Sequence, residues 1–174
     1  MIRVLLFLSL LLPTASFAQQ DDNEALYGWA YSLHTGPFLP NQIENVTEIQ
    51  PTWGLRFTFP TGNNSASEYS FTNSNAEGVT YWMLSYSGKT EFDVNDLIAQ
   101  IYLGIDAHTY KVDEGSYRSI AGGHFGLAMI SHLGGFTHFR ADMKFNVNPG
   151  TSLYLGFGLE MRYPPGDDSG EDDK

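Results

Sequence analysis

The chain has 174 residues, 20 Asp and Glu against 9 Lys and Arg, a formal charge of −11, and no cysteine. That acidic balance excludes a nucleic-acid partner, whose phosphates require a lysine and arginine surface. Without cysteine there are no disulfides, so stability has to come from packing, hydrogen bonding or a membrane.

Residues 1–18 read as a secretory signal peptide: Arg3 gives the positive start, Val4 to Leu12 the apolar stretch, and Ser16-Phe17-Ala18 a small-x-small cleavage site. As a membrane helix this stretch is too short for a hydrocarbon core of ~30 Å. The mature chain, starting near Gln19, is one domain's worth of sequence. Nothing after the leader approaches the ~20 apolar residues of a spanning helix, so any membrane crossing must be made by strands.

From Tyr27 onward the residues alternate. Tyr27, Trp29, Tyr31 and Leu33 oppose Gly28, Ala30, Ser32 and His34. A long link, Thr35 to Gln50, holds Pro37, Pro40, Asn41 and Asn45, and then Trp53, Leu55, Phe57 and Phe59 oppose Gly54, Arg56 and Thr58. After the turn-rich Thr61 to Ser65 comes a short strand, Glu68 to Asn73. A turn from Asn73 to Gly78 leads to an aromatic strand, Val79 to Tyr86, with Trp82, Leu84 and Tyr86 on one face.

The fifth segment sets Leu97, Ala99, Ile101, Leu103, Ile105 and Ala107 against Gln100, Tyr102, Gly104, Asp106 and His108, with only Ile98 breaking the polar face. Beyond Asp113-Glu114-Gly115, Ser119 to Leu133 sets Phe125, Leu127 and Met129 against Gly122, His124, Gly126 and Ala128. The last two segments are the clearest. Phe139, Ala141, Met143, Phe145 and Val147 oppose His138, Arg140, Asp142, Lys144 and Asn146; then, across Asn148-Pro149-Gly150, Leu153, Leu155, Phe157, Leu159, Met161 and Tyr163 oppose Tyr154, Gly156, Gly158, Glu160 and Arg162. The pattern predicts an all-β fold, an eight-stranded antiparallel up-and-down transmembrane β-barrel over 19–163. Pro164-Pro165-Gly166 then sets off an acidic disordered tail, 164–174.

Alternation does not say which face is inside. Three features place the apolar face in lipid. The opposite face carries both signs, Arg56, Arg140, Lys144 and Arg162 with Glu68, Asp106, Asp142 and Glu160, which suits a narrow lumen filled by pairing side chains. Glycines interleave those charges, and a crowded interior needs small residues beside long ones. Aromatics cluster near predicted strand ends (Tyr27, Trp29, Trp53, Phe59, Trp82, Tyr86, Phe136, Phe139, Tyr163), as interfacial girdles do. Leu103, Ile105, Met143, Phe145, Leu155, Phe157, Leu159 and Met161 are then lipid-facing, and Arg56, Glu68, Asp106, His108, His124, Arg140, Asp142, Lys144, Glu160 and Arg162 form a structural lumen network. Turning the last hairpin about Gly150 sets Arg140 opposite Glu160 and His138 opposite Arg162; turning the earlier one about Gly115 sets Asp106 opposite His124. An Arg140–Glu160 pair inside the barrel follows.

The pattern resembles small bacterial outer-membrane β-barrel proteins, the group that includes the membrane domain of outer membrane protein A. Their last strand carries an insertion signal, polar-x-Gly-x-x-Φ-x-Φ, and Gly158, Met161 and Tyr163 fall on its Gly and two Φ positions. Gly156 stands where that family prefers a polar residue, and eleven residues follow Tyr163. The resemblance implies the bacterial outer membrane as location, outer-membrane lipid and the barrel assembly machinery as partners, no cofactor, and a structural or surface-interaction role with an unspecified surface partner.

Enzymatic readings find little support. Ser131 and His132 are adjacent, so on a strand they point to opposite faces, and the His-x-Ser-Asn pattern of lipid A deacylases is missing. Asp106, His108 and His124 read as an internal hydrogen-bond network rather than a metal site. The competing function is a soluble periplasmic lipocalin-like barrel binding an apolar ligand, which would turn the apolar face inward. A narrow pore is a lesser alternative, because eight strands enclose little free volume.

Overall fold

A computed structural model describes residues 28–163 apart from 45, 63, 113, 114 and 149. The signal peptide, Tyr27 and the acidic tail expected from the sequence lie outside the described residues. Eight strands form the chain: β1 (Ala30–Asn41), β2 (Gln50–Gly62), β3 (Ser65–Ala76), β4 (Val79–Val94), β5 (Leu97–Val112), β6 (Arg118–Gly134), β7 (Thr137–Val147) and β8 (Thr151–Arg162). Each pairs antiparallel with the next and β8 returns to β1, so the sheet is a closed up-and-down barrel. Strands of 11 to 17 residues are long enough to cross a bilayer at a tilt, which takes about 9–11 residues.

The strands run further than alternation alone predicts. β3 extends the expected 68–73 at both ends, and β4 continues eight residues past Tyr86 to Val94. β1 takes in Pro37 and Pro40, which read as loop residues because proline gives nothing to a ladder. The long link thereby shrinks to 42–49. The β3–β4 turn is only Glu77-Gly78, both with positive φ (51° and 72°), the signature of a tight primed turn. Because strand number is even, the start of β1 and the end of β8 share one end of the barrel with the β2–β3, β4–β5 and β6–β7 turns. Links 42–49, 77–78, 113–117 and 148–150 lie at the other end.

Two registers differ from expectation by two residues. Arg140 faces Gly158 and His138 faces Glu160; Asp106 faces Gly122, while His124 faces Gly104. The cause is the place of glycine in the turn. Gly150 has φ 122° and leaves the turn instead of marking its apex, so the β7–β8 hairpin is centred on residue 149. Moving the centre by one residue moves the pairing by two, which keeps every side chain on its expected face.

The barrel wall alternates small and large across its inner surface. Gly54 faces His34, Gly126 faces Tyr102 and Gly156 faces Asp142. A Cβ on Gly126 would sit 2.4 Å from the Tyr102 hydroxyl oxygen, and one on Gly54 would sit 2.4 Å from His34 Nε2. These glycines are therefore the space into which neighbouring rings fold. We expect Gly126→Leu to displace Tyr102 and lower stability by about 1–3 kcal/mol, the usual penalty of overpacking, measured by urea unfolding in detergent micelles.

Candidate functional site

The inner surface is the candidate site. Arg56, Glu68, Asp106, Arg140, Asp142, Lys144 and Glu160 are all buried, as are His108 and His124, and the Arg162 side chain is 10% exposed. Arg140 is the hub. Its Nε sits 2.7 Å from Asp142 Oδ2, and its Nη1 lies 2.8 Å from Glu68 Oε2 and 3.1 Å from Glu160 Oε2. Arg140 thus reaches Glu160 diagonally, across the two-residue offset, rather than from directly opposite. Arg56 bonds Asp142 as well, and Tyr102 donates its hydroxyl to the other oxygen of Asp142 at 2.5 Å.

Toward the chain-terminus end the network continues through two residues that sequence reasoning missed. Lys89 donates to Glu68 at 3.1 Å, and Glu91 receives Arg162 at 2.9 and 3.0 Å as well as Gln100. Both stand on β4 beyond its expected end. Their alternation with Thr90 and Phe92 was the available signal, but it is weakened by Gly88 on the apolar face.

A smaller cluster lies toward the other end. Lys144 Nζ donates to Asp106 Oδ1 at 2.8 Å and to Ser85 Oγ at 2.7 Å, Ser85 in turn bonds Asp106, and His124 Nδ1 stands 2.9 Å from Asp106 Oδ2. His108 meets the Tyr81 hydroxyl. Among the described residues the interior thus holds five cations, Arg56, Lys89, Arg140, Lys144 and Arg162, against five carboxylates, Glu68, Glu91, Asp106, Asp142 and Glu160, so these ten charges balance.

Above Asp106 the interior turns apolar, which the sequence did not announce. Phe38, Tyr81, Met83, Tyr110 and Tyr154 point inward, and Ile43 and Val46 of the 42–49 link fold down onto them, 3% and 1% exposed. The 42–49 link is in part a stopper. Phe38 stacks on Tyr81 at 4.8 Å between ring centroids.

The outer surface carries the apolar set. Leu103 is 70% exposed, Ile105, Met143, Phe157, Leu159 and Met161 are exposed, and Phe145 and Leu155 are half-buried on the same side. Trp53, Trp82 and Tyr117 ring one end; Trp29, Phe59, Phe136, Phe139 and Tyr163 ring the other. Tyr86 departs from the predicted girdle, standing mid-strand against Tyr69 at 5.1 Å, with its hydroxyl 3.1 Å from Ser67 Oγ. Gly158 sits in β8 against β1, Met161 lies beside the Tyr31 hydroxyl, and Tyr163 donates its N–H to the Trp29 carbonyl at 2.8 Å. Ser131 and His132 lie on opposite faces of β6.

No family model and no curated protein matches the chain by sequence. Solved structures do match by shape. Neisserial surface protein A superposes with a TM-score of 0.62 at 9% identity, covering 82% of this chain and 100% of that one. The N-terminal β-barrel domain of Pseudomonas aeruginosa OprF gives 0.60 at 9% identity, covering 77% and 97%. Ail, the attachment invasion locus protein of Yersinia pestis, gives 0.51 at 10% identity, covering 80% and 99%. The chain therefore has the fold of eight-stranded transmembrane β-barrels such as those of bacterial outer membranes.

Removing Arg140 would leave three buried carboxylates facing one another. We expect Arg140→Met to cost about 3–5 kcal/mol, as breaking one side of a buried ion network does. A double change with Asp142→Asn should recover part of that loss in the same urea titration.

Proposed function

We propose that this chain is an integral β-barrel of a bacterial outer membrane, with a structural or surface-interaction role and no catalysis. The observation that carries this reading is the inversion of polarity: apolar side chains outside, a charge-neutral and interlocked network inside. A soluble carrier of the lipocalin kind needs the reverse, an apolar interior open to its ligand. Here an apolar recess of about 620 Å³, lined by Leu55, Phe57, Phe71, Leu84 and Ile105, is on the outer wall, where acyl chains can fill it. Lipid of the outer membrane is then the solvent of that wall. The barrel assembly machinery is the expected partner in biogenesis, reading Gly158, Met161 and Tyr163.

Diffusion through the lumen is disfavoured by the Arg140 network and by the Phe38–Ile43–Val46 stopper. A surface role takes support from the names of two neighbours, a surface protein and an attachment invasion locus protein. It would be carried here by turn tips and the barrel rim, because the longest link among the described strands is 42–49.

Cell fractionation with detergent extraction tests the reading. We expect the protein in the outer-membrane fraction, with a folded band that shifts in mobility only on boiling and no conductance in planar bilayers. Recovery from the soluble periplasmic fraction would overturn it.

A further inference from the structure

At the chain-terminus mouth, β6 and β7 bring two histidines face to face. His132 and His138 are paired in register, with His132 Nδ1 3.3 Å from His138 Nε2 and ring centroids 4.9 Å apart. Neither belongs to the ion network, and His132 is exposed. The hairpin that joins them turns through Gly134 and Gly135, both at positive φ (142° and 57°), with a bulge in the ladder between His132 and Gly134.

From this arrangement we propose a binding site for a divalent transition cation, with His132 Nδ1 and His138 Nε2 as its two protein ligands. Three observations converge on it. Zinc–imidazole bonds of about 2.0–2.1 Å in tetrahedral geometry set two ligand nitrogens about 3.3 Å apart, so the spacing of the two nitrogens already suits the ion. His138 Nδ1 lies 3.2 Å from the Phe136 carbonyl, to which it donates its proton. That bond fixes the tautomer, makes Nε2 the acceptor nitrogen whose lone pair an incoming ion can take over from His132, and is the outer-shell support that metal-binding histidines usually have. The site opens to solvent at the mouth, which supplies water for the remaining coordination positions.

In the metal-free barrel His132 Nδ1–H donates to His138 Nε2. Binding moves that proton to the exposed Nε2 of His132, so both rings stay neutral and coordination needs no redox partner. Among the described residues no group of three or more His, Cys, Asp or Glu is arranged to hold a metal, so this is a two-ligand, exchangeable site. Imidazole donors select zinc and copper over magnesium and calcium.

Calorimetric titration of the full refolded barrel, free of any histidine tag, with Zn²⁺ tests the proposal. We expect one ion per chain, at least about tenfold weaker binding in either His132→Gln or His138→Gln, tighter binding of Cu²⁺ than of Zn²⁺, and no binding of Mg²⁺. Imidazole NMR of the unmodified protein should show Zn²⁺-induced shifts confined to these two rings. No binding at millimolar Zn²⁺, or binding that survives both substitutions, or shifts centred on His34, His108 or His124, would overturn it.

Discussion

In hydrocarbon a backbone N–H or C=O has no water to turn to, and each unpaired one costs several kcal/mol. Closure of β8 onto β1 is the constraint from which the rest of this structure follows. A closed ring of eight strands has one inner and one outer surface, and period-two alternation distributes every side chain between them. The inner surface is narrow, so whatever is placed there must fill it completely and pair every charge.

The interior sets large side chains against small ones and pairs its charges. Tyrosine and histidine rings lean over glycines on the neighbouring strand, Tyr102 over Gly126 and His34 over Gly54, and cations and carboxylates are matched in number as well as position. Arg140 contacts Glu68, Asp142 and Glu160, so β3, β7 and β8 are cross-linked through the middle of the barrel. The apolar stopper formed by Phe38, Ile43 and Val46 closes the end opposite the chain termini by packing alone.

Strand number, face assignment and most of the lumen network were legible in the sequence, because alternation needs only parity. Parity also explains why the two hairpin registers were misplaced without harm: a turn centred one residue earlier moves Arg140 from Glu160 to Gly158 but leaves both pointing inward. Less legible were features that break the polar-inside rule. Phe38, Tyr81 and Tyr154 are inward aromatics; alternation put Tyr154 on the inner face, but residue type does not separate such rings from outward ones, and Phe38 fell in the expected link. Lys89 and Glu91 were hidden by the glycine beside them, and the His132–His138 apposition depends on a hairpin register that spacing alone does not fix.

The absence of cysteine from the chain makes the central claim open to direct measurement. Single-cysteine variants at Leu103 and Leu159 on the outer wall, and at Ser85 and Ser152 on the inner wall, would be spin-labelled in reconstituted bilayers. Collision with oxygen and with a water-soluble nickel chelate would then be compared. The account predicts that the labels at 103 and 159 collide freely with oxygen and not with the chelate, while those at 85 and 152 are shielded from both. Free access of the chelate to positions 103 and 159 would contradict it.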